Sequence, residues 1–229
     1  MTTVLSQSVE DYLKTIYKLH DRSDIVSTSD IARSLDVSAA SVTNMVKRLA
    51  QLKLVEYESY RGVSLTETGE KVALEIIRHH RLLELYLREV MGYPWDKIHE
   101  EAEHLEHHIS EEFEDKLDEM LGYPTHDPHG DPIPTRDGEI AEAITDPLSD
   151  MQAGQSVYIQ RVSDEDPEML IYLEEIGLLP GASIEIVEKA PFHGPITVRV
   201  GDGEQVLGYR VATNIFVKPG IDMPPDGHL

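Results

Sequence analysis

The sequence predicts a two-part fold: a mainly α-helical amino-terminal half containing a winged helix-turn-helix, and a small all-β barrel at the carboxy terminus. Three observations carry this expectation. Helical hydrophobic periodicity, with capping residues at its breaks, runs from about Ser6 to Leu121 and is interrupted by a short hairpin pattern. From Gly122 to Met151 the chain holds five prolines among repeated Gly and Asp, the composition of an irregular connection. After Ala153 the texture changes to short β-rich runs separated by glycines.

Each element follows from its residues. Val9, Leu13, Ile16, Tyr17 and His20 recur at helical spacing, so a first amphipathic helix covers about Ser6 to His20. Thr28 or Ser29 caps a short helix through Ile31, Ala32 and Leu35; Asp36-Val37 turns the chain, and Ser38 caps a third helix to about Leu52. That is helix-turn-helix spacing. Leu54 to Tyr57 and Val63 to Thr66 are strand-like, and the Arg61-Gly62 tip between them suits a hairpin, which makes a wing beside the recognition helix. A long helix follows from Glu67 to about Val90 and breaks at Gly92-Tyr93-Pro94; two more cover about Trp95 to His108 and Ser110 to Leu121. The β runs are Ser156 to Val162, Ser183 to Glu188, Ile196 to Val200, Gln205 to Leu207 and Ile215 to Val217. The expected units are 1–72, 73–140, a linker at 141–152, and 153–229.

Composition bounds the function. No window approaches the roughly 18 uncharged apolar residues that a bilayer span needs, so no membrane partner is expected. The first residues, MTTVLSQSVEDYLK, lack the features of a secretory signal, and the chain has no cysteine, which together suit a cytoplasmic protein and remove thiolate from the possible metal ligands. The net charge of -23 is unfavourable for nucleic acid as a whole. Its distribution is not: residues 1–80 carry ten basic and eleven acidic side chains, and Lys47, Arg48, Lys53 and Arg61 outnumber Glu56 and Glu58 between Ser38 and Gly62. A locally basic surface therefore sits on an acidic molecule.

The stretch from Ile98 to His108 carries the chemistry. On a helix, Ile98, Ala102, Leu105 and Ile109 form an apolar stripe, and His99, Glu103, Glu106 and His107 form an adjacent one at i, i+4, i+7 and i+8. Imidazole and carboxylate at that spacing, beside a buried face, can converge on one divalent cation. His80 and Glu84 stand at i, i+4 on the preceding helix. Clustered His and Glu could equally activate water in a hydrolase, but the chain has no HExxH spacing, nucleophile elbow or phosphate loop. A regulator sensing an organic ligand is the other alternative, and the ligand constellation argues against it.

Several segments in order resemble the diphtheria-toxin-repressor family of metal-dependent regulators, and more closely its three-domain manganese branch. They are Glu10 to Tyr17; Ser41-Val42-Thr43 with Val46 and Leu49; Tyr60-Arg61-Gly62 leading to Leu65-Thr66; Arg78 to Glu84; His99 to His107; and Pro128-His129-Gly130 with Ile133-Pro134. Leu173 to Gly181 and Ala190-Pro191-Phe192 are similar to the SH3-like, iron-transport-accessory (FeoA) domain of that family. The resemblance implies a winged helix, a helical dimerisation domain, and an SH3-like barrel. It implies a repressor, not an enzyme, that binds operator DNA as a homodimer when metal bridges the first two domains.

Carried over by position, the family's primary site falls on Asp11, Glu103, Glu106 and His107. Iron-responsive members have Met at the position of Asp11 and Cys at that of Glu103, so hard oxygen here points to Mn²⁺, with Fe²⁺ the alternative and Co²⁺, Ni²⁺ or Zn²⁺ able to bind in vitro. The secondary site draws on His80, Glu84 and His99, or on Glu84 with Asp127 and His129 of the linker and an acid of the third domain, Asp164 or Asp166. Two-domain manganese members place a glutamate where Lys14 stands, so a close pair of ions is not expected. The recognition helix would present Ser38, Ala40, Thr43 and Asn44 to base edges and Lys47 and Arg48 to phosphates, with Tyr60 and Arg61 on the wing.

Overall fold

The computed structural model describes residues 5–20, 25–58 and 61–220. Helix α1 (Gln7–His20) buries Val9, Tyr12, Leu13 and Ile16. It packs on α2 (Thr28–Ser34) and on the long α4 (Glu67–Glu89). Ser27, not Thr28 or Ser29, caps α2: its hydroxyl accepts from the Asp30 amide at 3.1 Å and donates to the Asp30 carboxylate at 2.6 Å. This reciprocal pair outcompetes a cap one residue later. Ser38 caps α3 (Ala39–Gln51) as expected.

Strands β1 (Val55–Glu58) and β2 (Gly62–Leu65) pair antiparallel from Val55↔Leu65 to Glu58↔Gly62, and the Val63 amide donates to the Val26 carbonyl, tying the wing to the start of the helix-turn-helix. These elements enclose one core of Leu13, Ile16, Ile31, Val42, Val46, Leu49 and Val63.

Helix α4 is the spine of the molecule, because it contacts α1 and β2 on one side and α5 (Ile98–Leu105) and α6 (Glu111–Met120) on the other. Helix α5 is shorter than the expected Trp95 to His108. Turn residues precede it, and Glu106 forms its C-cap, so Leu105 lies exposed while Glu106 is fully buried. Burial of a carboxylate at the expense of a leucine marks the place where chemistry overrides the apolar stripe.

The carboxy-terminal unit holds β3 (Ser156–Val162), β4 (Ser183–Lys189), β5 (Ile196–Val200), β6 (Gly203–Leu207) and β7 (Ile215–Pro219). They form one antiparallel sheet in the order β6-β5-β4-β3-β7, with Val157 opposite Ile184 and Pro219. A register shift between Ile159 and Arg161 breaks the two-residue alternation and turns Val162 inward with Val157 and Ile159. Two helices absent from the sequence reading pack with this sheet, α7 (Pro167–Glu175) and the short α8 (Tyr209–Ala212). Asp166 accepts from the Glu168 and Met169 amides and Pro167 stands at the first helical position, a start signal followed by the buried Met169, Leu170 and Leu173.

The connection before the sheet is irregular but docked. Gly130 has φ +90°, and a Cβ there would lie 1.9 Å from the Gln160 carbonyl oxygen, so only glycine lets this segment touch β3. The Val162 amide donates to the His129 carbonyl at 2.9 Å in the same contact. His129 is thereby fixed between the helical unit and the sheet.

Candidate metal centre

Four parts of the chain converge on α4. Helix α1 supplies Asp11 and Lys14, α5 and its end supply His99, Glu103, Glu106 and His107, the irregular segment after α6 supplies Asp127 and His129, and the residues after β3 supply Asp164. Their polar atoms fall into two clusters.

In the first cluster, ligand atoms of Asp11, Glu106 and His107 all lie within 4.8 Å of one another. His107 Nε2 is 2.8 Å from Asp11 Oδ1 and 3.3 Å from Glu106 Oε1, yet has no partner in hydrogen-bonding geometry. Its Nδ1 is 2.7 Å from Glu10 Oε2. Glu10 was not foreseen. Its carboxylate accepts the Nδ1 proton and leaves Nε2 to face the two other carboxylates, the orientation a metal-ligating imidazole requires. Burial opposes charge on His107, but the neighbouring carboxylates of Asp11, Glu10 and Glu106 outweigh it and raise its pKa to about 9. The cluster draws a positive charge to itself.

Glu103 is held beside this group by Lys14. The ammonium lies 2.6 Å from Glu103 Oε1. Burial raises the Glu103 pKa, but the charges of Lys14 and His80 and the Lys14 hydrogen bond prevail and hold it at about 2. Glu103 also falls within 4.8 Å of ligand atoms of His80 and His99.

The second cluster centres on Glu84, which is buried with Asp127 and His129 and approaches His99 and Asp164. His129 Nδ1 is 3.6 Å from Glu84 Oε2, and the ring stacks on Trp95 with centroids 5.4 Å apart. His99 Nδ1 lies 3.1 Å from Glu84 Oε1 and 3.5 Å from Asp164 Oδ2. Both His129 nitrogens are buried without hydrogen-bond partners. Asp127 Oδ1 accepts from the His129 and Asp131 amides at 2.8 and 2.9 Å, while its Oδ2 is 3.6 Å from Arg81. Burial, then the charges of Glu84 and Asp131, push the Asp127 pKa up to about 7. Orphaned imidazole beside crowded carboxylates fits a divalent cation with mixed oxygen and nitrogen donors.

Of the foreseen secondary ligands, Asp166 stands apart. Its Oδ1 caps α7 and its Oδ2 accepts from Arg210 at 2.7 Å, so it is committed to helix initiation, and Asp164 is the acid that reaches Glu84. His80 lies between the clusters, with Nδ1 2.5 Å from Glu106 Oε2 and Nε2 2.9 Å from Glu84 Oε1.

In the winged-helix unit, Ala40, Asn44, Lys47 and Arg48 are exposed on α3. Ser38 accepts from the Ser41 amide, and the Thr43 hydroxyl donates to the Ala39 carbonyl at 2.9 Å, so both hydroxyls also serve their own helix. Arg61 is exposed and pairs with Glu58 at 2.9 Å; Tyr60 lies outside the described residues.

A winged helix that shares a carboxylate–imidazole cluster with a second helical unit defines a metal-dependent DNA-binding regulator. The comparisons agree. Three family descriptions match in order: "Iron dependent repressor, N-terminal DNA binding domain" over residues 4–63, "Iron dependent repressor, metal binding and dimerisation domain" over 66–135, and "FeoA domain" over 147–219. The chain is 30% identical over 226 residues to the iron-dependent repressor IdeR of Mycobacterium leprae, covering 93% of this chain and 98% of that one. It is 34% identical over 194 residues to the diphtheria toxin repressor of Corynebacterium jeikeium, covering 82% and 80%. A solved manganese-dependent transcriptional repressor in complex with manganese superposes with a TM-score of 0.84 at 36% identity, covering 92% of this chain and 99% of that one. The chain belongs to the diphtheria-toxin-repressor family of metal-dependent transcriptional repressors, which are not enzymes. Among the described residues no helix is long and apolar enough to cross a membrane.

Proposed function

We propose that this chain is a manganese-responsive repressor of metal-homeostasis genes that acts in the cytoplasm and binds operator DNA as a homodimer. The supporting observation is that Asp11 of α1 meets His107, at the end of α5, at 2.8 Å, with His107 Nε2 left without a hydrogen-bond partner. An ion held by Asp11, Glu106 and His107, with Glu103 on the same rim, supplies the positive charge that ties the DNA-binding unit (1–72) to the helical unit (73–140). Without that charge the carboxylates repel, and the two units sample more than one angle. Fixing the angle fixes the spacing of two recognition helices across a dimer, which is what an operator with two half-sites reads.

Oxygen-rich donors without sulfur favour Mn²⁺, and Fe²⁺ is the alternative, since the mycobacterial relative is named for iron. A second ion belongs to Glu84, Asp127 and His129, with His99 and Asp164 nearby, and joins the SH3-like unit (153–229), beyond the 141–152 linker, to the helical unit. Exposed apolar side chains of the helical unit, Val90, Met91, Phe113, Met120 and Tyr123, support dimerisation there. DNA contact falls to Ser38, Ala40, Thr43, Asn44, Lys47, Arg48, Tyr60 and Arg61. A mobility-shift titration of operator DNA against Mn²⁺, Fe²⁺ and Zn²⁺ tests the reading. Binding that stays flat with every ion overturns it.

A further inference from the structure

Helix α3 turns one narrow face outward. Ala40, Asn44 and Lys47 fall within about 60° of one another around the helix axis, and all three are exposed, while Val42, Val46 and Leu49 on the opposite face are buried. The hydroxyls near the start of the helix are engaged locally. The Ser38 and Ser41 Oγ atoms lie 2.9 Å apart, Ser38 Oγ accepts from the Ser41 amide, and the Thr43 hydroxyl donates to the Ala39 carbonyl at 2.9 Å. Thr43 is thereby left with a methyl group to offer, as is Ala40. Asn44 differs from both: among the described residues its carboxamide has no hydrogen-bond partner. The helix also carries no acidic side chain that could accept from a cytosine amino group.

A free carboxamide donates and accepts in one plane. In the major groove only adenine shows the matching pair, an N7 acceptor beside an N6 donor; guanine shows two acceptors, cytosine a single donor, and thymine an acceptor beside a methyl group. The amino-terminal residues of a recognition helix are those that reach base edges. Ala40 and Asn44 are separated by about 6 Å of helix rise, so their contacts fall within about two base-pair steps of roughly 3.4 Å each.

We propose that Asn44 is a specificity-determining residue of this repressor: it reads an adenine through N6 and N7, and the methyl groups of Ala40 and Thr43 pack on thymine methyl groups within two steps of that adenine. The inference rests on the metal-dependent DNA binding argued above and adds the base that is recognised. The half-site is A·T-rich where α3 enters the groove, and Lys47 and Arg48 remain for the phosphates.

The test uses the full-length chain with Mn²⁺ and a duplex library of random sequence. Bound duplexes are enriched and sequenced for the parent and for Asn44→Ala. Affinities are then measured on the parent's preferred duplex and on the same duplex carrying 7-deazaadenine at the assigned position of both half-sites, a base that keeps its Watson–Crick pairing and lacks only the N7 acceptor. Asn44 is exposed, so its replacement leaves no core defect, and thermal unfolding and Mn²⁺ affinity verify this.

The parent is expected to select one adenine in each half-site. Asn44→Ala should lose the preference at that position alone and bind the parent's duplex more weakly by roughly five- to 150-fold per half-site, the span of a good bidentate base contact. 7-Deazaadenine should weaken the parent but change Asn44→Ala by less than about twofold, the limit for a contact that is already absent. Uracil in place of thymine within two steps should weaken the parent by about fourfold per methyl group, the value of one buried CH₂; no loss at any such thymine overturns the methyl contacts. Equal losses from 7-deazaadenine in both proteins, or base preferences that Asn44→Ala leaves unchanged, overturn the adenine contact while metal-dependent DNA binding stands. No enrichment by the parent with Mn²⁺, Fe²⁺ or Zn²⁺ overturns both.

Discussion

The Lys14 ammonium lies 2.7 and 2.8 Å from the two carboxylate oxygens of Glu106, in a pocket that leaves Lys14 6% and Glu106 0% exposed. A side chain of the DNA-binding unit thus already neutralises the buried acid of the helical unit. Burial disfavours the charge on Lys14, but Glu106 and Glu103 overcome this and raise its pKa above the ordinary value. The contact is a strap between the two units, and it occupies the oxygens assigned above to the proposed ion.

Replacing Lys14 with Met should therefore act in two opposite directions. The metal-free chain loses the partner of a buried carboxylate and is destabilised by about 3–5 kcal/mol, the usual cost of breaking such a pair. Removing a nearby positive charge should at the same time tighten Mn²⁺ binding. Thermal unfolding with and without Mn²⁺ checks both: the gain in Tm on adding the ion should be larger in the variant than in the parent.

Asp11→Ala and Glu103→Ala should each abolish Mn²⁺-stimulated operator binding while the chain remains a folded dimer. Both positions are partly exposed, so neither leaves a core defect. Mobility shift and size-exclusion chromatography together distinguish loss of switching from loss of structure.

Arg48→Ala should weaken binding to every DNA sequence and reduce the slope of log K against log salt by about one, because one released counterion is lost. Arg48 is exposed on α3 with no acidic partner within its own turn. An unchanged slope would remove Arg48 from the phosphate contacts.

Acid stability should depend on Glu114, which pairs with Arg78 Nε while Arg78 Nη2 donates to Asp118 at 2.7 Å. Burial raises its pKa, but hydrogen bonds from His79 and Arg78 and their charges outweigh this and hold it at about 2. A depressed carboxylate contributes stability that is complete above its unfolded value near 4.5 and is lost as the pH falls through about 2. Glu114→Gln should lower stability at neutral pH and flatten its decline between pH 4.5 and 2 in denaturant titrations.

Most elements were legible because each carries its own local signal. Ser38 and the apolar period behind it define α3, and Val157 and Ile159 alternate as a half-buried strand must. Helix α7 had such a signal in Asp166-Pro167, but the glycines after it drew the whole region into a β reading. At the candidate metal centre, the stripe through His99 and His107 was visible as a periodicity, whereas the division of labour was not. That Glu106 is buried, that Glu10 orients His107, that Asp164 rather than Asp166 reaches Glu84, and that Lys14 straps Glu106 all depend on contacts between residues far apart in sequence. Spacing along one helix carries no record of what faces it from another.

The close approach at Gly130 gives the β unit a role that needs no ligand of its own. Because the backbone at Gly130 rests on the Gln160 carbonyl and the His129 carbonyl accepts from Val162, the imidazole is aimed by the sheet beneath it. One added methyl group at residue 130 would lever the loop off that surface and swing His129 away from Glu84, opening the second cluster although no residue of that cluster had been replaced.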